Sequence, residues 1–441
     1  MGPPHRLVLR SVNTVALRGF KGISSSSARK SHMGSTRNSG SIPASGVAPE
    51  VAKLSEQTSE WCQTHVLADV FNFSAGQPGP DLLDKSCSMI KLASEQTFKD
   101  EEAWPWMMQY GSVDGPPRLR KNLSEFLGNG TLMEDVFITT GVTNGLHILG
   151  SALASPGDAV IVEQPTYFLA KGIFSDLGLD VIPAPMDGDS IDLEALSGIV
   201  STRKVKLMYL VPVHSNPTGL CKTREQKESI IDFVKKHSIY LLADEVYEML
   251  SFGPRANPCP PFTALCRDPN IVSVSSFSKI CAPGLRLGWF LAHSDVVGRV
   301  KASGVSHSGG GMNPLVGAFM CHALEEDSEG NSRMGDLLKE TQRVLGEKCQ
   351  KLCESLERNM PSCQFHRPEG GYFVFLELPD TVNAEDLLVV AEQTFKVKFT
   401  PGPRCFGRPN TIRISFAFYQ PEEMEEGVQR LARALDHYLA A

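Results

Sequence analysis

Acidic residues are missing from the start of the sequence. No aspartate or glutamate precedes Glu50, while Arg6, Arg10, Arg18, Lys21, Arg29, Lys30 and Arg37 supply positive charge. Taking these seven cations away from a net charge of −7 leaves −14 on the remainder, a sign that argues against nucleic acid as the main partner. Long apolar runs are also missing. None approaches the roughly eighteen residues that a membrane span requires, so a soluble chain with no membrane partner is expected. Metal-ligand spacing is absent as well: the eleven cysteines are odd in number and scattered, with no CxxC and no zinc-like Cys/His cluster. Cys349 and Cys353 stand four apart in a helical stretch without histidine partners. No metal is expected, and the thiols read as reduced and buried, as in an intracellular compartment.

What is present first is the basic segment itself. "RLVLRSVNTVALRGFKGISSSSARK" is Ser-rich and can form an amphipathic helix, the composition of a mitochondrial transit peptide. Residues 1–48 are therefore expected to be an unstructured targeting segment leading to the mitochondrial matrix. The alternative is a cytoplasmic chain with a disordered tail, or one started at Met33. Arg6 stands where a myristoylation signal wants Ser or Thr, so Gly2 is not read as a lipid site.

The body alternates strand and helix signals without any repeat. "EDVFITTG" predicts a strand, "VTNGLHILGSALA" a helix, and "DAVIVEQ" and "KLMYLVPV" strands. "TREQKESIIDFVKKHS" puts Ile230, Ile231, Phe233 and Val234 on one helical face, and "IYLLADEVY", "IVSVSSF" and "LRLGWFLA" follow as apolar runs. Such runs separated by helices predict a buried, mainly parallel α/β sheet. After about residue 310 a long charged helix, "MGDLLKETQRVLGEKCQKLCESLERN", precedes the shorter strands "YFVFLEL" and "TIRISFA" and a final helix, "PEEMEEGVQRLARALDHYLA". The division expected is a large domain at 96–305 and a smaller one combining 49–95 with 306–441.

Polar groups recur at the ends of the predicted strands, where open α/β sheets hold ligands. Asp244 ends "IYLLADEVY" with Tyr247 just beyond, Asn216 sits in "HSNPTG", and Gly141 opens a helix. "SSFSKICAPGLRLGW" places Ser276, Ser278, Lys279 and Arg286 between two apolar strands. A lysine there must be paired or used. Each feature alone is an ordinary cap or turn; together they match one ligand. A phosphate needs an anion cradle, which Ser276, Ser278, Arg286 and the helix start at Val142 and Thr143 can provide. An aldehyde needs an amine, and Lys279 can form a Schiff base. A pyridine nitrogen needs a carboxylate to keep it protonated, which Asp244 can supply. The cofactor with all three parts is pyridoxal 5'-phosphate.

From about residue 70 onward the sequence resembles the class I/II aminotransferases of pyridoxal-phosphate fold type I. The resemblance is carried in collinear order by "FSAGQP", "QYGSVDGPPRLR", "TTGVTNGLHIL", "EQPTYF", "HSNPTG", "ADEVY", "SSFSKICAPGLRLGW", "PEGGYFVFLEL", "TPGPRCFG" and "NTIRISFA". "SFSKICAPGLRLGWF" and "EQPTYF" look most like the branch of 2-aminoadipate, kynurenine and multisubstrate aminotransferases. The resemblance implies an α/β fold with a mainly parallel seven-stranded sheet domain and a smaller α+β domain. It further implies that Lys279 binds the cofactor and moves the proton of the substrate α-carbon, and that Asp244 pairs with the ring nitrogen. Asn216 and Tyr247 would bond the phenolic oxygen, Tyr167 would stack on the ring, and Arg413 would clamp the substrate α-carboxylate, with the Gly76 backbone beside it. Tyr110 of "QYG" would reach the phosphate of a neighbouring subunit, which implies a homodimer. Val142 and Thr143 depart from the Ser or Ala and the Gln usual in the family, and Ser215 stands where many relatives carry Gln.

The implied activity is amino-group transfer between an amino acid and a 2-oxo acid, the former long aliphatic, 2-aminoadipate-like or aromatic. The same lysine, aspartate and arginine also suit elimination, decarboxylation or racemisation, so a lyase of this fold is the alternative. Regulators that join a DNA reader to this domain are not expected, because such a reader would need about sixty patterned residues, whereas residues 1–48 are Ser- and Gly-rich and the body is acidic. Trp104 and Trp106, just before Tyr110, are read either as walls of the substrate pocket or as core packing.

Overall fold

The computed structural model describes Gln63 and residues 69–253, 259–309 and 311–441. The basic segment expected at 1–48 lies outside the described residues. Seven short strands form the main sheet: β1 (Val136–Thr139), β2 (Ala159–Val162), β3 (Asp180–Pro183), β4 (Val205–Leu210), β5 (Tyr240–Asp244), β6 (Ile271–Ser276) and β7 (Gly288–Ala292). Their order is β1-β7-β6-β5-β4-β2-β3. The four pairs from β6 to β3 are parallel, whereas β7 runs antiparallel to both β1 and β6. The sequence explains both features. Strands such as "AVIV" and "GWFLA" are buried at every position, as strands covered on two faces must be. Between Ser276 and Gly288 the chain has only a one-turn helix and a short 3-10 turn. That is too little for the crossover a parallel return needs, so β7 turns back on β6.

Helices cover the sheet. α1 (Pro80–Thr97) precedes it, α2 (Val142–Leu153) follows β1, and α3 (Phe168–Asp176) follows β2. α4 (Arg224–His237) is fixed at its start by a reciprocal cap between Thr223 and Gln226, and it buries the predicted Ile230, Ile231, Phe233 and Val234. α5 (Pro314–Leu324) and the long α6 (Arg333–Asn359) lead into a second sheet.

That sheet is antiparallel, in the order β8 (Gln364–Phe365), β9 (Phe373–Glu377), β11 (Thr411–Ser415), β10 (Thr400–Pro401). α7 (Ala384–Gln393) and α8 (Pro421–Ala440) complete this region. The chain before α1 joins it as well. Phe71–Asn72 pairs in parallel with Val397–Lys398, and the Asn72 N–H donates to Tyr419 Oη at 2.6 Å. No described helix is long and apolar enough to cross a membrane. Of the ten described cysteines five are buried, but Cys87 and Cys221 are exposed, which corrects the expectation of uniformly buried thiols. Cys87 lies on the solvent side of α1, and Cys221 follows the "NPTG" turn.

Candidate active site

The carboxyl ends of β4, β5 and β6 and the start of β7 open into one cleft of about 260 Å³. Twelve of the thirteen residues singled out from the sequence line it: Gly76, Val142, Thr143, Tyr167, Asn216, Asp244, Tyr247, Ser276, Ser278, Lys279, Arg286 and Arg413. Tyr110 does not; it is 82% exposed. Trp104 and Trp106 do not line the cleft either. Trp106 packs on a small apolar cluster of Ala103, Met107 and Ala318, and Trp104 is half-exposed. Of the two readings of the tryptophans, packing is the one this chain shows: their short helix, Trp104–Met107, leans on α5.

Lys279 sits in the turn between β6 and β7. Ser276 caps that turn by accepting the Ser278 N–H at 3.0 Å. The Lys279 ammonium donates to the Gly76 carbonyl at 2.6 Å and lies 5.6 Å from the Tyr372 ring. Removal from water, with Arg413 and Arg286 nearby, lowers its pKa to about 8, although Asp244 pulls the other way. Tyr372 Oη donates to the Lys279 carbonyl at 2.7 Å, tying the turn to the second sheet.

Asp244 ends β5 and is 4% exposed. Its Oδ2 accepts the Tyr209 hydroxyl at 2.8 Å, while Oδ1 is buried without a hydrogen-bond partner. Burial raises its pKa to about 6, opposed chiefly by that hydroxyl. The anion cradle lies beside it. Gly141 opens α2 at φ 110°, a conformation that favours glycine, with no side chain capping the helix. A Cβ at Gly141 would stand 3.2 Å from the Arg286 guanidinium. Arg286 is exposed and donates to the Pro283 carbonyl at 3.2 Å. Gly288 lets the two halves of the cradle close, since a Cβ there would lie 2.8 Å from Gly141 Cα.

The loop carrying Asn216 is fixed from several sides. Glu163 accepts the Val211 N–H at 2.8 Å and pairs with Lys222 at 2.8 Å, both side chains buried. His214 hydrogen-bonds Ser251 at 2.7 Å and is overlaid by Gly370, where a Cβ would clash at 2.1 Å. Asn216 Oδ1 then accepts from Arg413 at 2.8 Å. Arg413, in the middle of β11, also donates to the Ser74 carbonyl at 2.6 Å and Thr400 Oγ1 at 3.0 Å. Its guanidinium lies 4.2 Å from the Phe373 ring and 5.5 Å from Phe168. Burial lowers its pKa below the usual value, and Nε has no hydrogen-bond partner. Tyr167 and Tyr247 complete the walls; burial pushes the Tyr167 hydroxyl up to about 12 and Tyr247 well above the ordinary range.

Sequence reasoning missed the walls that α3 and β9 supply: Phe168, Leu169, Ile173 and Phe373. It also missed Tyr209, whose hydroxyl reaches Asp244. A tyrosine in the otherwise aliphatic "KLMYLVPV" was the available signal, because a buried hydroxyl seeks a partner. These residues fit pyridoxal phosphate. Asp244 Oδ1 is a buried acceptor awaiting a donor, the Gly141 turn beside Arg286 and the uncapped start of α2 suit a phosphate, and Lys279 offers an amine.

The sequence pattern of the aminotransferase class I and II family matches residues 68–431. The chain is 30% identical over 381 residues to a 2-aminoadipate transaminase of Thermus thermophilus, covering 84% of this chain and 91% of that protein. Its fold superimposes with a TM-score of 0.77 on a kynurenine aminotransferase of Pyrococcus horikoshii solved with PMP, at 25% identity over 89% of this chain and 94% of that one. An α-aminoadipate aminotransferase of Thermus thermophilus, solved with N-(5'-phosphopyridoxyl)-L-leucine, gives a TM-score of 0.74 at 28% identity, over 85% and 94%. With Lys279, Asp244 and Arg413 lining a single cleft, the chain belongs to the aminotransferase class I and II family and is a pyridoxal-phosphate-dependent amino-acid transaminase.

Proposed function

We propose that this transaminase takes amino groups from amino acids with long aliphatic, 2-aminoadipate-like or aromatic side chains. The observation that carries the reading is the cleft itself, where an amine of lowered pKa stands between a buried carboxylate with a free oxygen and a buried guanidinium with a free N–H. Bound pyridoxal phosphate supplies an aldehyde for amines and a ring that withdraws electrons. Asp244 Oδ1 accepts the ring N–H. Asn216 and Tyr247 hold the phenolic oxygen, and Tyr167 covers one ring face. Ser276, Ser278, Arg286 and the N–H groups of Val142 and Thr143 receive the phosphate. Arg413 grips the substrate α-carboxylate, which approaches along the Gly76 backbone. Lys279 Nζ, once neutral, would take the proton of the substrate α-carbon and hand it to the cofactor C4' carbon.

Support for the side-chain preference is the apolar surface of Phe168, Leu169 and Ile173 on α3, together with the names of the relatives above. A homodimer is part of the proposal. Tyr110, Met108 and Val305 are 82%, 75% and 58% exposed, and Gly309 stands against the Tyr110 ring, where a Cβ would lie 3.1 Å away. This apolar surface suits a second copy, to whose phosphate Tyr110 would reach. The acid-free, basic residues before Glu50 support import into the mitochondrial matrix.

Visible spectroscopy of the purified protein tests the reading. Addition of a single amino acid is expected to bleach the yellow colour, and a 2-oxo acid to restore it. Release of ammonia, sulfide or carbon dioxide in place of recovery would make the enzyme a lyase. A protein that stays colourless with added pyridoxal phosphate would refute the assignment of the cleft.

A further inference from the structure

We infer that Tyr209 is a positioning residue for Asp244: its hydroxyl pins Oδ2 so that Oδ1 faces the cleft to meet a ring N–H. The inference rests on the proposed roles of the cleft residues. Tyr209 lies on β4 and Asp244 at the end of β5, which pair in parallel with Tyr209 opposite Leu242. Side chains two apart on a strand share a face, so Leu242, Asp244 and Tyr209 project to the same side. An aromatic ring is long enough to cover the diagonal step, and the hydroxyl ends 2.8 Å from Oδ2.

The tyrosine ring is fully buried and meets Phe174 of α3 edge-on at 5.6 Å. A phenylalanine would fill the same space, so packing alone does not call for the oxygen. Burial and the neighbouring carboxylate hold the Tyr209 pKa well above 10.0, so it donates and does not ionise near neutrality. Other groups face Asp244. Lys279 attracts it, the adjacent Glu245 repels it, and the Tyr167 and Tyr247 hydroxyls are neutral. Among the described side chains, Tyr209 alone hydrogen-bonds the carboxylate. Without Tyr209 the Val246 N–H is the one donor left to the carboxylate, and the charged form would lose its side-chain donor in a place where burial already disfavours it.

Tyr209→Phe removes the donor and keeps the ring. Titration of apoenzyme with pyridoxal phosphate is expected to give a dissociation constant raised roughly tenfold, the scale of one hydrogen bond to a charged group. The pH midpoint of the visible absorption of the bound cofactor is expected to rise by about one unit, since the anion opposite the ring nitrogen is weakened. Phe174→Leu, which touches the same ring and leaves the hydroxyl, serves as the packing control; it should lower the melting temperature without moving that midpoint. In an Asp244→Asn background Tyr209→Phe should shift nothing further. A wild-type midpoint and dissociation constant in Tyr209→Phe, or an equal midpoint shift in Phe174→Leu, would overturn the inference while leaving the cleft assignment intact. A wild-type chain that never binds the cofactor would overturn both.

Discussion

Arg413 and Arg286 line the same cleft and are held in opposite ways. Arg413 is 3% exposed, bonded by Asn216, Thr400 and the Ser74 carbonyl, and faced by two aromatic rings. Arg286 is exposed and anchored by one carbonyl of its own turn. Neither has an acidic partner among the described residues, so both charges are unspent. The difference follows from what each is proposed to meet. A phosphate brings a strong charge and finds other donors waiting at α2, so the arginine above it needs little preparation. An α-carboxylate arrives and leaves at every turnover, and the group that receives it must already stand in place. Neutral partners give Arg413 that fixity without cancelling its charge.

The contrast can be broken most sharply at the buried member. Arg413→Ala should raise the amino-acid KM by roughly a hundredfold or more, because the carboxylate then enters a buried site with no cation. The dissociation constant for pyridoxal phosphate should change far less than the KM. Steady-state kinetics with one amino acid would decide it, and an unchanged KM would remove the clamp. Arg286→Ala is expected to act on the other ligand and more gently. The dissociation constant for pyridoxal phosphate should rise roughly fivefold, as for an exposed ion pair, with amino-acid KM unaffected at saturating cofactor. If the two variants exchanged phenotypes, the assignment of the arginines would be reversed.

The smallest effect is a displacement in pH. Burial first, and then both arginines, push the Lys279 ammonium down, from an ordinary 10.5 to about 8. A positive group of depressed pKa loses its proton earlier as pH rises, and the amine is nucleophilic only without it. Covalent uptake of the cofactor by apoenzyme should therefore accelerate with pH through about 8 and level off above it. Stopped-flow absorbance would follow this, and a midpoint near 10.5 would mean that neither burial nor the cations act on the lysine.

The cofactor half of the site was legible in the sequence because its residues sit where short apolar strands end. "IYLLAD" and "IVSVSS" announce β5 and β6, and Asp244 and Lys279 follow from their boundaries. The substrate half was less legible. Arg413 came from resemblance, since a lone arginine in "TIRIS" has no local reason to be a ligand. Phe168, Leu169 and Ile173 follow "EQPTY" on a helix whose face is set by its contact with the sheet. Phe373 belongs to a strand more than 90 residues beyond Lys279. The tryptophans stayed between two readings for a related reason. Large aromatic side chains near a site motif suggest a wall, but a four-residue helix is oriented by what it packs on, here Ala318 of α5.

One peptide unit connects the two chemistries. Tyr372, just before β9, holds the carbonyl of Lys279, and the next residue, Phe373, lies under the guanidinium of Arg413. Consecutive side chains of an extended strand leave on opposite faces, with Cα atoms about 3.8 Å apart. The interval between amine and clamp is thereby referred to a covalent gauge and not to a packed gap. If Arg413 receives the α-carboxylate as proposed, variation in the apolar wall of Phe168, Leu169 and Ile173 would change which side chain is accepted without changing where the α-carbon stands.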